Sequence, residues 1–367
     1  MSGARDNRQR REPHQAITLR DVARATGTTP MTVSNVINGR AGQVGAELSK
    51  RVLAACKTLG YRPHAGARLL RTNRHMTIGV VIIDPSTHYL SDPFTAAVLA
   101  GLTDVFTAHG YALLLHGASP EALTSAPLMR RIATDGICLI LSGQPAARRA
   151  LFSRIAALGQ PIVLVQDDLP DGAEDACSLI QDDEGGGAQL ARHLLTQPCR
   201  SILMLTPAQH WAAMERREAG IRAELARHAS APAFQVVSCA NEGFDETQAA
   251  LAAHVARHGM PDAVIGGNDR MAIAAMKWLS AGGLRIPGDV RVTGFNGFEF
   301  WRYASPELTT VQSPAFQLGE ESARAMAARL ATGAFPFRRQ TLPVTFMPHG
   351  SSVRQEEQGS TLSTALR

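Results

Sequence analysis

From Met76 onward, the chain alternates between short apolar runs and longer segments with helical periodicity. The apolar runs have strand length and fall into two sets, at 78–83, 112–115, 136–141 and 162–165, and then at 202–205, 235–238, 263–265 and 290–294. Helical segments of about 12 to 18 residues separate them, the usual crossover length in a parallel sheet. Strands without polar alternation are typical of sheets buried on both faces. The pattern predicts two doubly wound α/β lobes with a ligand cleft beyond the carboxyl ends of the strands.

Residues 18–59 have a different pattern, that of short helices around a small apolar core. Thr18 and Asp21 have the spacing of a capping box, with Asp in place of the usual Glu. Gly27 is placed to end this first helix and to allow a sharp reversal of the chain. Thr29 and Pro30 are typical of the cap and the first position of a second helix. This pair of helices has the form of a helix-turn-helix.

The second helix presents polar residues near its start, on the face opposite its apolar side. A helix entering the major groove uses this region to contact base edges and phosphates. The candidate DNA contacts on this face are Pro30, Met31, Thr32, Ser34 and Asn35. A third helix is predicted at 47–59. An ordinary helical hairpin without DNA contact is the alternative interpretation.

The distribution of charge favours DNA binding. Residues 1–75 hold 14 Lys or Arg and 4 Asp or Glu, whereas the remaining 292 residues hold 23 basic and 28 acidic side chains. A basic head on a mildly acidic body indicates a nucleic-acid contact confined to the head. A chain of 367 residues is also too long for one compact core, so two or three domains are expected.

Other features of the sequence predict a cytoplasmic protein. The five cysteines are scattered and include no Cys-x-x-Cys pair, which indicates reduced thiols. Residues 1–16 are polar and Arg-rich, so we expect a disordered basic arm rather than a secretion signal. No stretch approaches the ~18 uninterrupted apolar residues of a membrane span. Residues 64–75 have the composition of a short basic linker.

Several short motifs occur in an order and spacing that resemble one known family. They lie at 18–23, 32–38, 59–63, 78–81, 135–137, 262–264, 268–269 and 306–311. Over residues 17 to about 349, the chain resembles the lactose-repressor (LacI) family of bacterial transcription regulators. The resemblance implies a helix-turn-helix headpiece at 17–63, a hinge linker at 64–75 and a periplasmic-binding-protein-like effector domain at 76–349.

In this family the chain passes between the two lobes three times. The resemblance implies a first lobe at about 77–181 and 313–340, and a second lobe at about 182–312 and 341–349. Residues 350–367 are expected to form a flexible tail, since they carry no sustained heptad for a tetramerising coil. The family further implies a homodimer on palindromic operator DNA and a small-molecule effector between the lobes, with no cofactor.

The resemblance adds DNA contacts outside the second helix. In the family the linker folds on DNA, and a leucine from each hinge wedges into the minor groove. Leu70 aligns with that wedge, and Ala67 and Arg68 lie beside it. Packing of Leu70 against the body is the alternative. Thr18 and Arg20 complete the candidate contacts, and a solvated basic face is the alternative for Arg20.

The candidate effector contacts come from several loops of the body. They are Asp92, Phe94, Gln166, Arg217, Asn268, Asp269 and Asn296. Arg217 stands three residues before Gly220, where family members place an arginine that grips the ligand. An inter-lobe salt bridge is the alternative for Arg217, and a helix cap is the alternative for the Asn-Asp pair.

The sequence also suggests a class of effector. Asn296 and Gln166 stand where some relatives carry Asp, and residues 31–34 and 294–297 both resemble the gluconate-regulator branch of the family. Replacement of acids by amides removes negative charge that would repel an anion, so we expect a sugar acid rather than a neutral sugar or a purine.

Enzymatic interpretations have weaker support. Three carboxylates precede Gly185, Gly186 and Gly187, which fits a helix start better than a phosphate loop. His254 and His258 have the spacing of a metal pair, but a third ligand is not evident, so no metal is expected. No Walker loop, Gly-x-Ser-x-Gly or His-Glu-x-x-His motif occurs. A carbohydrate-acting enzyme, or a sugar-binding protein without a regulatory role, is the alternative to a regulator.

Overall fold

A computed structural model describes residues 17–37, 44–61, 74–86, 89–126, 129–130 and 133–353. The chain divides into two compact units, residues 1–75 and 76–367. Each unit has its own apolar core, so each is described by itself.

The N-terminal unit is helical. Within the described residues its helices are α1 Leu19–Thr26, α2 Pro30–Ile37 and α3 Ala46–Leu59. One buried cluster joins all three helices and includes Val22 of α1, Val33 of α2 and Val52 of α3. The helix-turn-helix headpiece expected from the sequence is confirmed.

Local hydrogen bonds explain the ends of these helices. The Asp21 carboxylate accepts hydrogen bonds from the Thr18 amide at 2.9 Å and from the Thr18 hydroxyl at 2.7 Å. Gly27 ends α1 with φ of 62°, a conformation that glycine adopts without steric cost. The Thr29 hydroxyl accepts a hydrogen bond from the Thr32 amide at 3.1 Å and caps α2.

The second unit alternates strands and helices. Its described strands are β1 Thr77–Ile83, β2 Ala112–Ala118, β3 Gly136–Leu141, β4 Ile162–Val165, β5 Ala176–Gln181, β6 Ser201–Pro207, β7 Ala233–Cys239, β8 Ala263–Gly266, β9 Arg291–Thr293, β10 Thr310–Gln312, β11 Arg339–Leu342 and β12 Thr345–Met347. Its described α-helices are α4 Pro93–Ala108, α5 Pro145–Ala156, α6 Asp183–Leu194, α7 Ala212–Leu225, α8 Phe244–His258, α9 Asp269–Ala281 and α10 Ala315–Thr332.

The first lobe is built on a parallel sheet in the order β11-β5-β4-β3-β1-β2. Alternate residues of β1 pack into different helical layers. Val80 contacts the cluster that includes α4 and α10, whereas Val81 contacts the cluster that includes α5. Both faces of the sheet are therefore buried, which explains why β1 lacks polar alternation.

The second lobe repeats this architecture with a parallel sheet in the order β7-β6-β8-β9. Met204 of β6 packs with α6 and α7, and its neighbour Leu205 packs with α8 and α9. The two doubly wound parallel-sheet lobes predicted from the apolar pattern are confirmed.

Within the described residues, three chain segments join the lobes. They run from β5 to α6, from β10 to α10, and from β11 to β12. Strand β11 pairs with β5 as far as Leu342, so the first sheet extends beyond the expected boundary at 340. Strands β10 and β12 form a small antiparallel pair beside the crossings.

The end of the described chain differs from the expectation of a flexible tail starting at Gly350. Ser351 and Ser352 are completely buried against the second lobe. The Ser351 hydroxyl donates to the Val292 carbonyl at 2.6 Å and accepts from the Thr309 amide at 2.8 Å. Hydroxyl groups that satisfy backbone partners explain how a polar sequence packs here.

Helices α4 and α10 approach closely because each has a glycine at the contact. A Cβ atom on Gly101 would collide with the Phe316 carbonyl oxygen, and one on Gly319 would collide with the Val98 carbonyl oxygen. Backbone atoms cannot move aside as a flexible side chain can. The two glycines therefore fix how α10 packs on the first sheet.

Gly101→Ala should lower the free energy of unfolding by about 1–3 kcal/mol, because the added methyl group separates two packed helices. Urea unfolding followed by circular dichroism measures the change. Thr107→Ala, at an exposed position of the same helix, is the control and should change stability by less than about 0.5 kcal/mol. Equal stability of Gly101→Ala and the wild type would show that the helices are not in close contact.

Candidate functional site

A cavity of about 500 Å³ lies between the two lobes of the second unit. Its walls are formed where strands end and helices begin, as expected for doubly wound sheets. Six of the seven predicted effector residues line this inter-lobe cavity, namely Asp92, Phe94, Gln166, Arg217, Asn268 and Asn296.

The wall contributed by the first lobe carries two carboxylates. Asp92 caps α4 and accepts hydrogen bonds from the amides of Phe94 at 3.2 Å and Thr95 at 3.0 Å. Asp84, directly after β1, accepts from the Ser86 amide at 2.7 Å. The indole N–H of Trp211 in the second lobe donates to the other Asp84 oxygen at 3.2 Å. This wall is therefore negatively charged and touches the opposite lobe.

The wall of the second lobe carries a third carboxylate, Glu242, in the loop after β7. Glu242 accepts hydrogen bonds from the Asn268 side-chain amide at 2.5 Å and from the Arg270 guanidinium at 2.9 Å. Burial raises the pKa of Glu242, and the nearby Asp92 raises it further. Carboxylates from both lobes thus face the same cavity.

Asn268 is both a helix cap and a cavity residue. Its side-chain oxygen accepts a hydrogen bond from the Met271 amide at 3.0 Å and begins α9, while its amide group holds Glu242. The helix cap, the alternative role for Asn268, is therefore formed by its side-chain oxygen. The side chain as a whole connects α9 to the loop after β7.

Asp269 is the predicted effector residue that does not line the cavity. Its side chain is buried behind the wall, where it accepts hydrogen bonds from the Thr310 hydroxyl at 2.5 Å and the Gly297 amide at 2.7 Å. The first turn of α9 directs this carboxylate toward β10 and away from the cavity walls. Burial raises its pKa from 3.8 to about 7.

Asp183, at the start of α6, lies at the first crossing between the lobes and is fully buried. Its carboxylate accepts hydrogen bonds from Arg217 at 2.8 Å, from Gln181 at 2.8 Å and from Gln166 at 3.3 Å. Gln166 follows β4 and Gln181 ends β5 of the first sheet. These hydrogen bonds around Asp183, which we term the crossing network, therefore join both lobes. In the sequence, Asp183 carries only the signal of an acidic helix start.

Arg217 is held by several protein groups around its guanidinium. Beyond Asp183, it donates to the Gly267 carbonyl at 2.6 Å and to the Asn296 side-chain oxygen at 3.1 Å. Its guanidinium carbon lies 3.7 Å from the centroid of the Phe295 ring. Burial lowers its pKa, and the Asp183 carboxylate opposes that effect. Arg217 therefore orders one end of the cavity wall and its charge is matched by Asp183.

Gln166 and Asn296 have strained backbones that aim them at this network. Their φ angles are 64° and 109°, in the region that favours glycine. The Gln166 side-chain oxygen accepts from the Gln181 amide at 2.8 Å. Such conformations persist where the surrounding structure fixes them, often at ligand sites.

Sequence reasoning missed several lining residues, among them Asp84, Tyr89, Ser142, Trp211 and Glu242. A usable signal existed for three of them, since Asp84 directly follows β1, Ser142 directly follows β3 and Glu242 lies in the loop after β7. Polar residues at the carboxyl ends of parallel strands are candidates for ligand contact on this fold.

The candidate DNA contacts of the N-terminal unit lie at its surface. Met31 is 70% exposed, and Thr18, Arg20 and Pro30 are exposed as well. Thr32, Ser34 and Asn35 are partly exposed on the same helix. Ala67, Arg68 and Leu70 lie outside the described residues.

Comparison with known proteins decides the family. Residues 18–64 match the family described as "Bacterial regulatory proteins, lacI family", and residues 191–352 match a "Periplasmic binding protein-like domain". The ribose operon repressor of Escherichia coli (strain K12) is 30% identical over 343 residues, which cover 91% of this chain and 99% of that repressor. The chain belongs to the lacI family.

Solved structures show the same fold. A lac repressor dimer bound to operator and the anti-inducer ONPF matches with a TM-score of 0.81 at 23% identity, covering 93% of this chain and 100% of the other. A complex of the transcriptional regulator CelR with cellobiose matches with a TM-score of 0.64 at 26% identity, covering 91% of this chain and 99% of that one.

As a lacI-family member, the protein is a DNA-binding regulator of transcription rather than an enzyme. The glycines at 185–187 lie in the first turns of α6 and are not a phosphate loop. His254 and His258 stack with ring centroids 4.9 Å apart, and no cluster of three metal-ligating side chains occurs in the described part of the chain. Among the described helices, none has the length and apolar character to cross a bilayer.

The buried Asp269 gives a pH-dependent stability that can be tested. Because its folded-state pKa of about 7 lies above the ordinary value of 3.8, the folded protein binds this proton more tightly than the unfolded chain. This contribution is present at low pH and is lost as pH rises toward about 7. Relative to Asp269→Asn, the wild type should lose about 2–3 kcal/mol of stability between about pH 5 and pH 8.

Urea unfolding of both proteins at each pH provides this difference. A wild-type advantage that grows with pH would instead indicate that Asp269 is ionised in the folded state and stabilised by its hydrogen bonds.

Proposed function

We propose that this protein is a repressor that binds a palindromic operator as a homodimer and responds to a neutral, hydroxyl-rich compound in the inter-lobe cavity. It acts in the cytoplasm, where bacterial operators are found. The observation that carries the choice of ligand is the excess of carboxylates over free cations on the cavity walls. The relatives named above regulate a ribose operon or bind cellobiose, which agrees with this class of compound.

The charges on the cavity walls argue against an anionic effector. Asp84, Asp92 and Glu242 line the cavity. Arg270 offsets the charge of Glu242, so Asp84 and Asp92 supply the negative charge that would repel a sugar carboxylate. Of the two lining arginines, Arg217 is paired with Asp183 and Arg270 with Glu242. Carboxylate oxygens are good acceptors for hydroxyl groups. A neutral sugar gains these hydrogen bonds without charge repulsion, whereas repulsion opposes the binding of a sugar acid.

The expectation of a sugar acid rests in part on Gln166 and Asn296 standing in place of acids. In the folded protein both amides are engaged with protein groups, at Gln181, Asp183 and Arg217. The two amides therefore form hydrogen bonds within the protein where the chain crosses between the lobes. The acidic character of the cavity comes from other residues. Phe94 and Trp211 supply apolar surface for the C–H faces of a sugar.

The surface of the first lobe supports a homodimer. Strand β2 is an edge strand of the first sheet, and its Leu114 and Leu115 side chains are 46% and 38% exposed. An exposed apolar edge strand is unfavourable unless a partner covers it. A twofold dimer through this face would present two headpieces to a palindromic site. Ligand that favours one lobe angle then changes DNA affinity, and DNA changes ligand affinity by the same factor.

Asn35→Ala should weaken binding to a selected operator by about 10- to 100-fold, since it removes a side-chain hydrogen bond to a base or phosphate. The operator is first selected from a library of random palindromic duplexes, and affinities are then measured by mobility shift at fixed salt. Thr58→Ala, at an exposed position of α3, is the matched control and should bind as the wild type does. Equal binding by Asn35→Ala and the wild type would contradict the proposal that α2 contacts the DNA.

Titration calorimetry with D-ribose, cellobiose and gluconate tests the effector class. A neutral sugar should bind more tightly than gluconate by at least about 10-fold, and Glu242→Gln should reduce that preference because it removes one negative charge from the cavity. Asp245→Asn removes a charge from the exposed start of α8 and should leave the preference unchanged. Tighter binding of gluconate by the wild type would contradict the proposed class of effector.

A further inference from the structure

Arg148 forms a connection between the lobes outside the inter-lobe cavity. It lies on α5 of the first lobe, and its side chain is only 6% exposed. The guanidinium donates two hydrogen bonds to Glu215 on α7 of the second lobe, at 3.0 and 2.9 Å. It also donates to Asp167 at 2.7 Å and to the Gly143 carbonyl at 2.5 Å, both in its own lobe. A planar guanidinium with two bonds to one carboxylate fixes distance and direction together.

A backbone hydrogen bond lies next to this ion pair. The Gly143 amide of the first lobe donates to the His210 carbonyl of the second lobe at 2.7 Å. His210 directly precedes the capping residue of α7. Together Arg148, Glu215, Gly143 and His210 form what we term the inter-lobe clasp, which holds the first turns of α7 against the first lobe.

The clasp shares a helix with the cavity wall. Met214 and Arg217 on α7 line the cavity, while Glu215 between them does not. The other members of the clasp do not line it either. A change in the clasp therefore reaches a ligand by moving α7 relative to the first lobe, without removal of a ligand contact.

We propose that Arg148 and Glu215 are positioning residues that hold the lobes together in the absence of effector and thereby set both effector affinity and operator affinity. The effect on affinity rests on the function proposed above, whereas the effect on lobe contact does not. Apparent ligand affinity is the affinity of the binding-competent state multiplied by its population. Loss of the clasp lowers the population of the closed arrangement, so ligand binding must first restore it.

Glu215→Ala in the full-length protein is the sharpest test. It removes the contact across the lobes but leaves Arg148 bonded to Asp167 and the Gly143 carbonyl, so the guanidinium keeps a partner in its own lobe. Glu218→Ala is the matched control, because Glu218 lies three residues along α7 and pairs with Arg222 of the same helix. Both variants remove one carboxylate from the same helix.

Hydrogen exchange without any ligand measures the clasp directly. We expect the Gly143 amide of Glu215→Ala to exchange at least about 10-fold faster than in the wild type, because local opening now exposes its bond to His210. Small-angle scattering should give a larger radius of gyration for the same variant. Amides in β3 and β6 should keep wild-type exchange, as should Gly143 in Glu218→Ala. Mobility shift with the selected operator should show altered affinity in Glu215→Ala only.

Arg148→Met with Arg149→Met as its control repeats the test from the first lobe, since Arg149 is an exposed neighbour on α5. Wild-type exchange at Gly143 and an unchanged radius of gyration in Glu215→Ala would overturn the proposal. Faster exchange at Gly143 with unchanged operator affinity would overturn its regulatory part. Failure of the wild type to bind any selected duplex would instead refute the proposed function and leave the exchange result on the clasp intact.

Discussion

The buried carboxylate of Asp183 is the constraint on which the arrangement of the two lobes depends. An ionised group without solvent is very costly unless charge and hydrogen bonds compensate it. Arg217 supplies the charge from the second lobe, and Gln166 and Gln181 supply hydrogen bonds from the first. These partners can all reach Asp183 only at a narrow range of lobe angles. The same interaction therefore satisfies a buried charge, joins the lobes at their first crossing and orders the Arg217 side of the inter-lobe cavity.

This constraint also determines where the amides at two candidate effector positions point. Amides at Gln166 and Asn296 do replace acids, but the fold directs them into the crossing network, where they contact Asp183 and Arg217. The carboxylates on the cavity walls are those of Asp84, Asp92 and Glu242, which are distant in sequence and belong to both lobes. The sign of the cavity charge is a property of the assembled walls.

The fold was largely predictable because its signal is local. The buried strands β1, β3 and β6 are each an apolar run of strand length. Thr18 and Asp21 mark a helix start within four residues. Strands β10 and β12 have three residues each and carry no such signal. The site was predictable only as positions near strand ends. The orientation of Asp269 toward Thr310, and the pairing of Arg148 with Glu215 across 67 residues, depend on tertiary packing that periodicity does not encode.

The order of residues on the second turn of α7 shows how the parts are coupled. Glu215 contacts Arg148 in the first lobe, Arg216 donates to the Gln166 carbonyl at 2.8 Å, and Arg217 pairs with Asp183. These three consecutive side chains thus take part in the clasp, in a separate bond to the first lobe and in the crossing network. A rotation of α7 cannot change one of these contacts without straining the other two, because one rigid helical turn carries them all. Packed interfaces of this kind favour a few discrete arrangements over continuous deformation. A ligand that shifts Trp211 or Met214 at the start of the same helix would therefore act on the lobe angle as a whole.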